Sequence, residues 1–95
     1  YRMYVLKGSF TAYTVAEASA KIYNAISKNQ LVLDMSGVEE MDSAAMGVIC
    51  AAFNDGVQCD HKLYLMSLSS EAEKQIAQTG FKDLFNIINS VTEVV

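Results

Sequence analysis

The segment LVLDMSGVEEMDSAAMGVICAAF, residues 31–53, decides how the chain is read. Leu31, Val32 and Leu33 form a short apolar run that predicts a buried strand, and Ser36-Gly37 predicts a turn after it. Asp42-Ser43 then opens a stretch in which Met46, Ile49, Cys50 and Phe53 recur at helical spacing. The segment reads as strand, loop and helix, the helix starting near Ser43 and ending before Gly56, a residue suited to a C-terminal stop. Taken by themselves, Asp42 and Ser43 are N-cap residues, whose side-chain oxygens accept an orphan backbone N–H at a helix start. The uncharged run from Ser43 to Asn54 is 12 residues. That falls well short of the ~20 that a membrane-spanning helix needs.

Outward from this segment the pattern repeats. Tyr1 to Leu6 is rich in Tyr, Val and Leu and predicts a strand ending at Gly8. Thr14 and Glu17 have capping-box spacing, and Val15, Ala18, Ile22, Ala25 and Ile26 share one helical face, so a helix is expected from Val15 to Ser27. Leu63 to Met66 predicts a second buried strand. Ser70 and Glu73 form another capping-box pair, opening a helix that stops at Thr79-Gly80. Leu84 to Ile88 predicts a last strand, and Ser90 with Glu93 a third helix start. Strands alternating with helices imply an α/β domain with at least partly parallel pairing, because a parallel connection needs a crossover element. Four or five strands are the ceiling for 95 residues, and helices can cover only one face fully. Residues 1–95 are expected to be a single domain, trimmed at one or both ends, since the chain starts at Tyr1 without a methionine.

Composition narrows the partners. Apolar residues make up 52% and charged residues 19%, which excludes intrinsic disorder. The net charge is −4, and the seven Lys and Arg are never adjacent. No basic stripe tracks a phosphate backbone, so neither nucleic acid nor insertion into a membrane is expected. Cys50 and Cys59 are expected to be reduced thiols in a cytoplasmic protein. With His61 they lack the short paired spacing of a zinc site, so no metal and no cofactor are expected. Ser43 is a poor catalytic nucleophile: His61 is the sole histidine, and no Gly-x-Ser-x-Gly elbow surrounds the serine.

The 31–53 segment resembles the signature of the STAS family, whose bacterial members include anti-sigma-factor antagonists. That signature is an aliphatic strand ending in Asp, a short loop, then Asp-Ser-Ser-Gly-Leu-Gly-Val opening a helix. Here it stands as Leu33-Asp34, Ser36-Gly37-Val38, then Asp42-Ser43-Ala44-Ala45-Met46-Gly47-Val48. Gly8-Ser9-Phe10-Thr11 is similar to the family's Gly-Glu-Leu-Asp element, and Thr79-Gly80-Phe81 with Leu84-Phe85 to its Thr-Gly-Leu and Leu-Phe segment. The chain departs from the pattern at Ala44, where the family has a second Ser, at Ala45, where it has Gly, and at Thr11, where an acidic residue often stands.

The resemblance implies the STAS fold, a four- to five-stranded mixed sheet flanked by helices. It also implies a non-enzymatic, phosphorylation-switchable binding module that sequesters a kinase-type anti-sigma factor and so regulates transcription. By this likeness Ser43 is the phosphorylation site, and Thr11, Asp42, Ser43, Ala44, Ala45 and Gly47 belong to the partner surface. The implied partners are an anti-sigma factor serine kinase and a matching phosphatase. The same likeness admits a STAS component of a membrane transporter, docking on a transport protein. A small enzyme or metal-dependent protein using Cys59 and His61 is the rival from another class.

Overall fold

Strands and helices alternate strictly in the computed structural model, which describes residues 1–80, 85–90 and 92. The order is β1 (Arg2–Phe10), α1 (Val15–Lys28), β2 (Leu31–Met41), α2 (Ser43–Cys59), β3 (Leu63–Met66), α3 (Ser70–Gln78) and β4 (Asn86–Ile88). The strands lie side by side in chain order, and every neighbouring pair is parallel. The sheet among the described residues is thus parallel throughout rather than mixed. Parallel crossovers are almost always right-handed, so successive connections that step in one direction put their helices on one face.

The packing bears this out. Leu31, Leu33 and Met35 of β2 and Leu63 and Leu65 of β3 meet Ile22 and Ile26 of α1, Ile49 of α2 and Ile76 of α3 in one buried cluster. The opposite face carries a smaller buried cluster of Val32, Tyr64, Met66 and Ile88. At the β1 edge, Tyr1, Met3 and Val5 remain exposed.

Strand β2 is the largest departure from the sequence reading. Ser36-Gly37 is not a turn; the strand runs through it to Met41. Two register shifts against β1, between Val5 and Lys7 and between Gly8 and Ser9, each insert one extra residue into β2. Each bulge resets the alternation of faces. Leu31, Leu33, Met35, Val38 and Met41 therefore all join the helix-side core, although their spacing passes from two residues to three. The first bulge is braced locally: Asp34 Oδ1 accepts from the Ser36 N–H at 3.0 Å and from its hydroxyl at 2.8 Å. At the second bulge, β1 continues past Gly8, whose φ of +68° is the left-handed conformation that suits a residue without Cβ.

Helix starts and stops also shift. Thr14 makes no capping bond to α1. Its hydroxyl instead donates to the Ser9 carbonyl at 2.8 Å and accepts the Thr11 N–H at 3.1 Å, while Glu17 pairs with Lys21 at 3.6 Å. The cap of α3 is Ser69, one residue before the expected position, accepting from the Ala72 N–H at 3.2 Å. The α3 stop at Thr79-Gly80 stands, with Gly80 at φ +74°. The proposed start of the last strand at Leu84 and most of the Ser90 to Glu93 cap signal lie outside the described residues.

Gly56 does not stop α2; it lies buried inside the helix, which continues to Cys59 and ends at Asp60 in the left-handed conformation. A Cβ at Gly56 would meet the His61 carbonyl oxygen at 2.7 Å and two Ile26 side-chain carbons at 3.2 and 3.3 Å. The glycine thus serves close packing of α2 on α1. His61 is half-buried, with Nδ1 2.6 Å from the Ile26 carbonyl oxygen. Gly→Ala inside an open helix gains up to about 1 kcal/mol. At Gly56 the clash with backbone reverses the sign, and Gly56→Ala is expected to cost about 1–3 kcal/mol in urea denaturation. An unchanged or higher midpoint would mean the two helices separate freely.

Candidate functional site

The site is built where β1 and β2 end and α2 begins. Asp42 directly follows β2 in an extended conformation and caps α2: its Oδ1 accepts the Ala45 N–H at 3.1 Å. Its second oxygen, Oδ2, accepts the Ala12 N–H at 2.9 Å from the turn between β1 and α1. One carboxylate thereby joins backbone segments 30 residues apart. The Ala12 and Ala45 donors hold the Asp42 carboxyl below its ordinary 3.8, because both favour the ionised form. The turn is further tied by the Thr14 N–H and Val15 N–H, both donating to the Thr11 carbonyl.

Ser43 is the first residue of α2 and is exposed. Among the described residues its hydroxyl has no hydrogen-bond partner, so the cap is Asp42 and the serine is left unengaged. Ala44 is half-buried, and Gly47 is exposed, with open space where a Cβ would sit. Thr11 is half-buried, its hydroxyl accepting weakly from the Tyr13 N–H at 3.4 Å. Asp42, Ser43, Ala44, Gly47 and Thr11 are therefore brought together on one surface.

Ala45 is not on that surface. It is 0% exposed and faces the core with Ile49 and Ala52, so its methyl group cannot meet a partner. Val48 is buried as well. The reason is that α2 contacts α1 and α3 as well as the sheet, so more than one stripe is covered. That crowding accounts for most of its uncharged run.

Tyr13 was not singled out by its sequence. It is 98% exposed on the turn held by Asp42. With Thr11, Glu40, Asp42 and Glu71 it borders an open hollow of about 400 Å³ between the turn and the start of α3. The available signal was slight: an aromatic residue between the end of one strand and the start of a helix.

The other candidates disperse. Cys50 is half-buried against the core, Cys59 is exposed, and both are free thiols. Among the described residues, no group of three or more His, Cys, Asp or Glu side chains is arranged to hold a metal ion. Nor is any helix there long and apolar enough to cross a membrane.

A family model described as STAS domain matches residues 2–94. Among solved structures, the chain is similar to a Thermotoga maritima protein thought to be an anti-sigma factor antagonist. The TM-score is 0.82 at 19% identity, covering 96% of this chain and 82% of that one. It is also similar to an anti-sigma-factor antagonist (STAS) domain protein from Planctomyces limnophilus, with TM-score 0.77, 15% identity, and 94% and 84% of the two chains covered. The anti-sigma factor antagonist SpoIIAA in its unphosphorylated form matches with TM-score 0.73 and 17% identity, covering 96% and 81%. At these identities the likeness establishes a shared fold.

The Asp42 bonds have a measurable signature. A carboxyl with a lowered folded pKa contributes stability that is fully present above its unfolded value, near 3.8, and is lost as pH falls through the folded value. Asp42→Ala removes both bonds and this acid-side dependence. Its Tm at neutral pH should fall by about 4–8 °C, and the gap to the parent protein should narrow as pH falls through the folded value of Asp42. Asp42→Asn, which keeps an acceptor oxygen, should fall between the two. A gap that persists unchanged in acid would show that the carboxylate charge is irrelevant to the join.

Proposed function

Because the chain belongs to the STAS domain family, we propose that it is an anti-sigma-factor antagonist. It is a binding module rather than an enzyme, acts in the cytoplasm, and binds a serine-kinase anti-sigma factor through the surface around Ser43. Phosphorylation of Ser43 by that kinase ends the interaction, and a matching phosphatase restores it. The observation that carries this reading is the exposed Ser43 hydroxyl, unengaged inside the fold and set at a helix start beside a turn. The resemblance of the fold to antagonists, SpoIIAA among them, supports it over docking on a transport protein.

The geometry suits a switch of charge rather than of shape. A phosphoryl group adds roughly −1.5 to −2 charge at pH 7. Helix starts ordinarily receive anions through their free N–H groups. Here Asp42 already occupies the Ala45 N–H, and Glu39 and Glu40 are exposed just before it in the chain. The added charge therefore stays at the surface, where it repels a partner face fitted to a neutral hydroxyl. Gly47 supports the same surface. Glycine inside a helix costs roughly 0.5–1 kcal/mol relative to Ala, and the space around it is empty within the fold. Its use lies in letting a partner approach the helix backbone.

With its cognate kinase and ATP, the protein should take up one phosphate, mapped to Ser43 by mass spectrometry. Phosphate on other residues with Ser43 unmodified would overturn the assignment. By calorimetry, Ser43→Asp should bind the anti-sigma factor about 10–1000-fold more weakly than Ser43→Ala. Equal affinities would reduce Ser43 to a structural residue.

Gly47 separates stability from binding. Gly47→Arg should hold or raise Tm, because Arg is a better helix former, yet lose most of its affinity for the anti-sigma factor. A folded Gly47→Arg protein that binds normally would place the contact surface elsewhere.

A further inference from the structure

At the opposite end of the strands, α1 and the first residues of β1 and β2 enclose a hollow of about 320 Å³. Arg2, Lys21 and Lys28 line it, three of the seven basic residues in a chain of net charge −4. Among the described residues, no acidic one lines it. Asn24 and Asn29 add amide groups, and the buried Leu31 contributes an apolar wall. We propose that this hollow is a binding site for a small multivalent anion of the phosphate type, separate from the Ser43 surface.

The folded structure gives Lys21 work of its own: it pairs with Glu17 at 3.6 Å and stands 5.9 Å from the centre of the Tyr4 ring. Lys28, in the last turn of α1, complements the negative end of that helix. Arg2 has no such use. Among the described residues neither Arg2 nor Lys28 has an ion pair or side-chain hydrogen bond, although acidic residues outnumber basic ones eleven to seven. Three of the seven basic residues in one concavity, with no described acid lining it, make a patch of positive potential that attracts an anion. The walls are fixed in place, because the Arg2 N–H donates to the Gln30 carbonyl at 2.8 Å and ties the start of β1 to the α1–β2 connection.

The same geometry sets the ligand. The carbonyl end of α1 opposes any anion, so binding needs several hydrogen bonds at once, which the oxygens of a phosphate can accept and a chloride ion cannot. A phosphate or pyrophosphate engages Arg2 through paired N–H donors and Lys28 through its ammonium at once. The hollow has the size of small-molecule sites rather than of a protein interface. The cations are exposed, so binding is modest and falls with salt.

The test is a titration of the ¹⁵N-labelled protein with inorganic pyrophosphate, ionic strength being held constant with sodium chloride. Saturable amide shifts are expected at Arg2, Asn24, Lys28 and Leu31, with a Kd of about 1 mM. The double variant Arg2→Gln, Lys28→Gln should keep its Tm and bind about tenfold more weakly. Vesicles of phosphatidylcholine with phosphatidylinositol 4-phosphate test a lipid-borne source. Co-sedimentation that pyrophosphate displaces and the double variant loses supports the site. Shifts that fail to saturate by about 10 mM, that centre on Lys62 or Lys74, or that show the same Kd in the double variant overturn the proposal. So does vesicle binding that survives the double variant.

Discussion

The Asp42 carboxylate accepts the Ala12 N–H through one oxygen and the Ala45 N–H through the other, and so fixes the turn before α1 against the first turn of α2. Without it, the turn at Thr11 to Thr14 would be held chiefly by bonds within itself and to the end of β1. The division of labour between Asp42 and Ser43 follows. A serine at a helix start is usually consumed as a cap. Here the aspartate takes that role, and among the described residues the neighbouring hydroxyl is left without a partner. The same bond holds the turn that carries Tyr13 against Asp42, so one carboxylate both shapes the surface and leaves the Ser43 hydroxyl unengaged.

How far this was legible in the sequence depends on which residues hold each element. Leu63 to Met66 and the α1 face of Ala18, Ile22 and Ile26 could be read from their order, because local periodicity decides them. Strand β2 could not be read past Leu33. Its core residues shift from a spacing of two to a spacing of three at bulges set by pairing with β1, and Ser36-Gly37 looks like a turn to any local rule. Gly56 was misread for a related reason. A glycine near the end of an apolar run signals a stop, whereas this one answers to Ile26 and the His61 carbonyl across the helix interface.

The site divides the same way. Asp42 and Ser43 were visible from cap logic and from the Asp-Ser motif. Which faces of α2 are covered was not, since helical spacing does not reveal how many neighbours a helix has. The family likeness put Ala45 on the partner surface, and it lies in the core. The contact of Asp42 with Ala12 was invisible in principle, because a backbone N–H leaves no mark on residue identity. Tyr13 gained its significance only once that contact had positioned it.

Each strand in the sheet pairs with the one before it in the chain, from β1 through β4. During synthesis on a ribosome, no emerging strand has to wait for a distant, later segment before finding its neighbour. Each β-α-β unit completes a layer on what has already emerged, so the parallel sheet, intrinsically slow to form where its contacts are remote, is assembled from short-range closures. The Asp42 join becomes available as soon as α2 starts to emerge, because both segments it links have by then been made. That join thus needs nothing from the second half of the described chain.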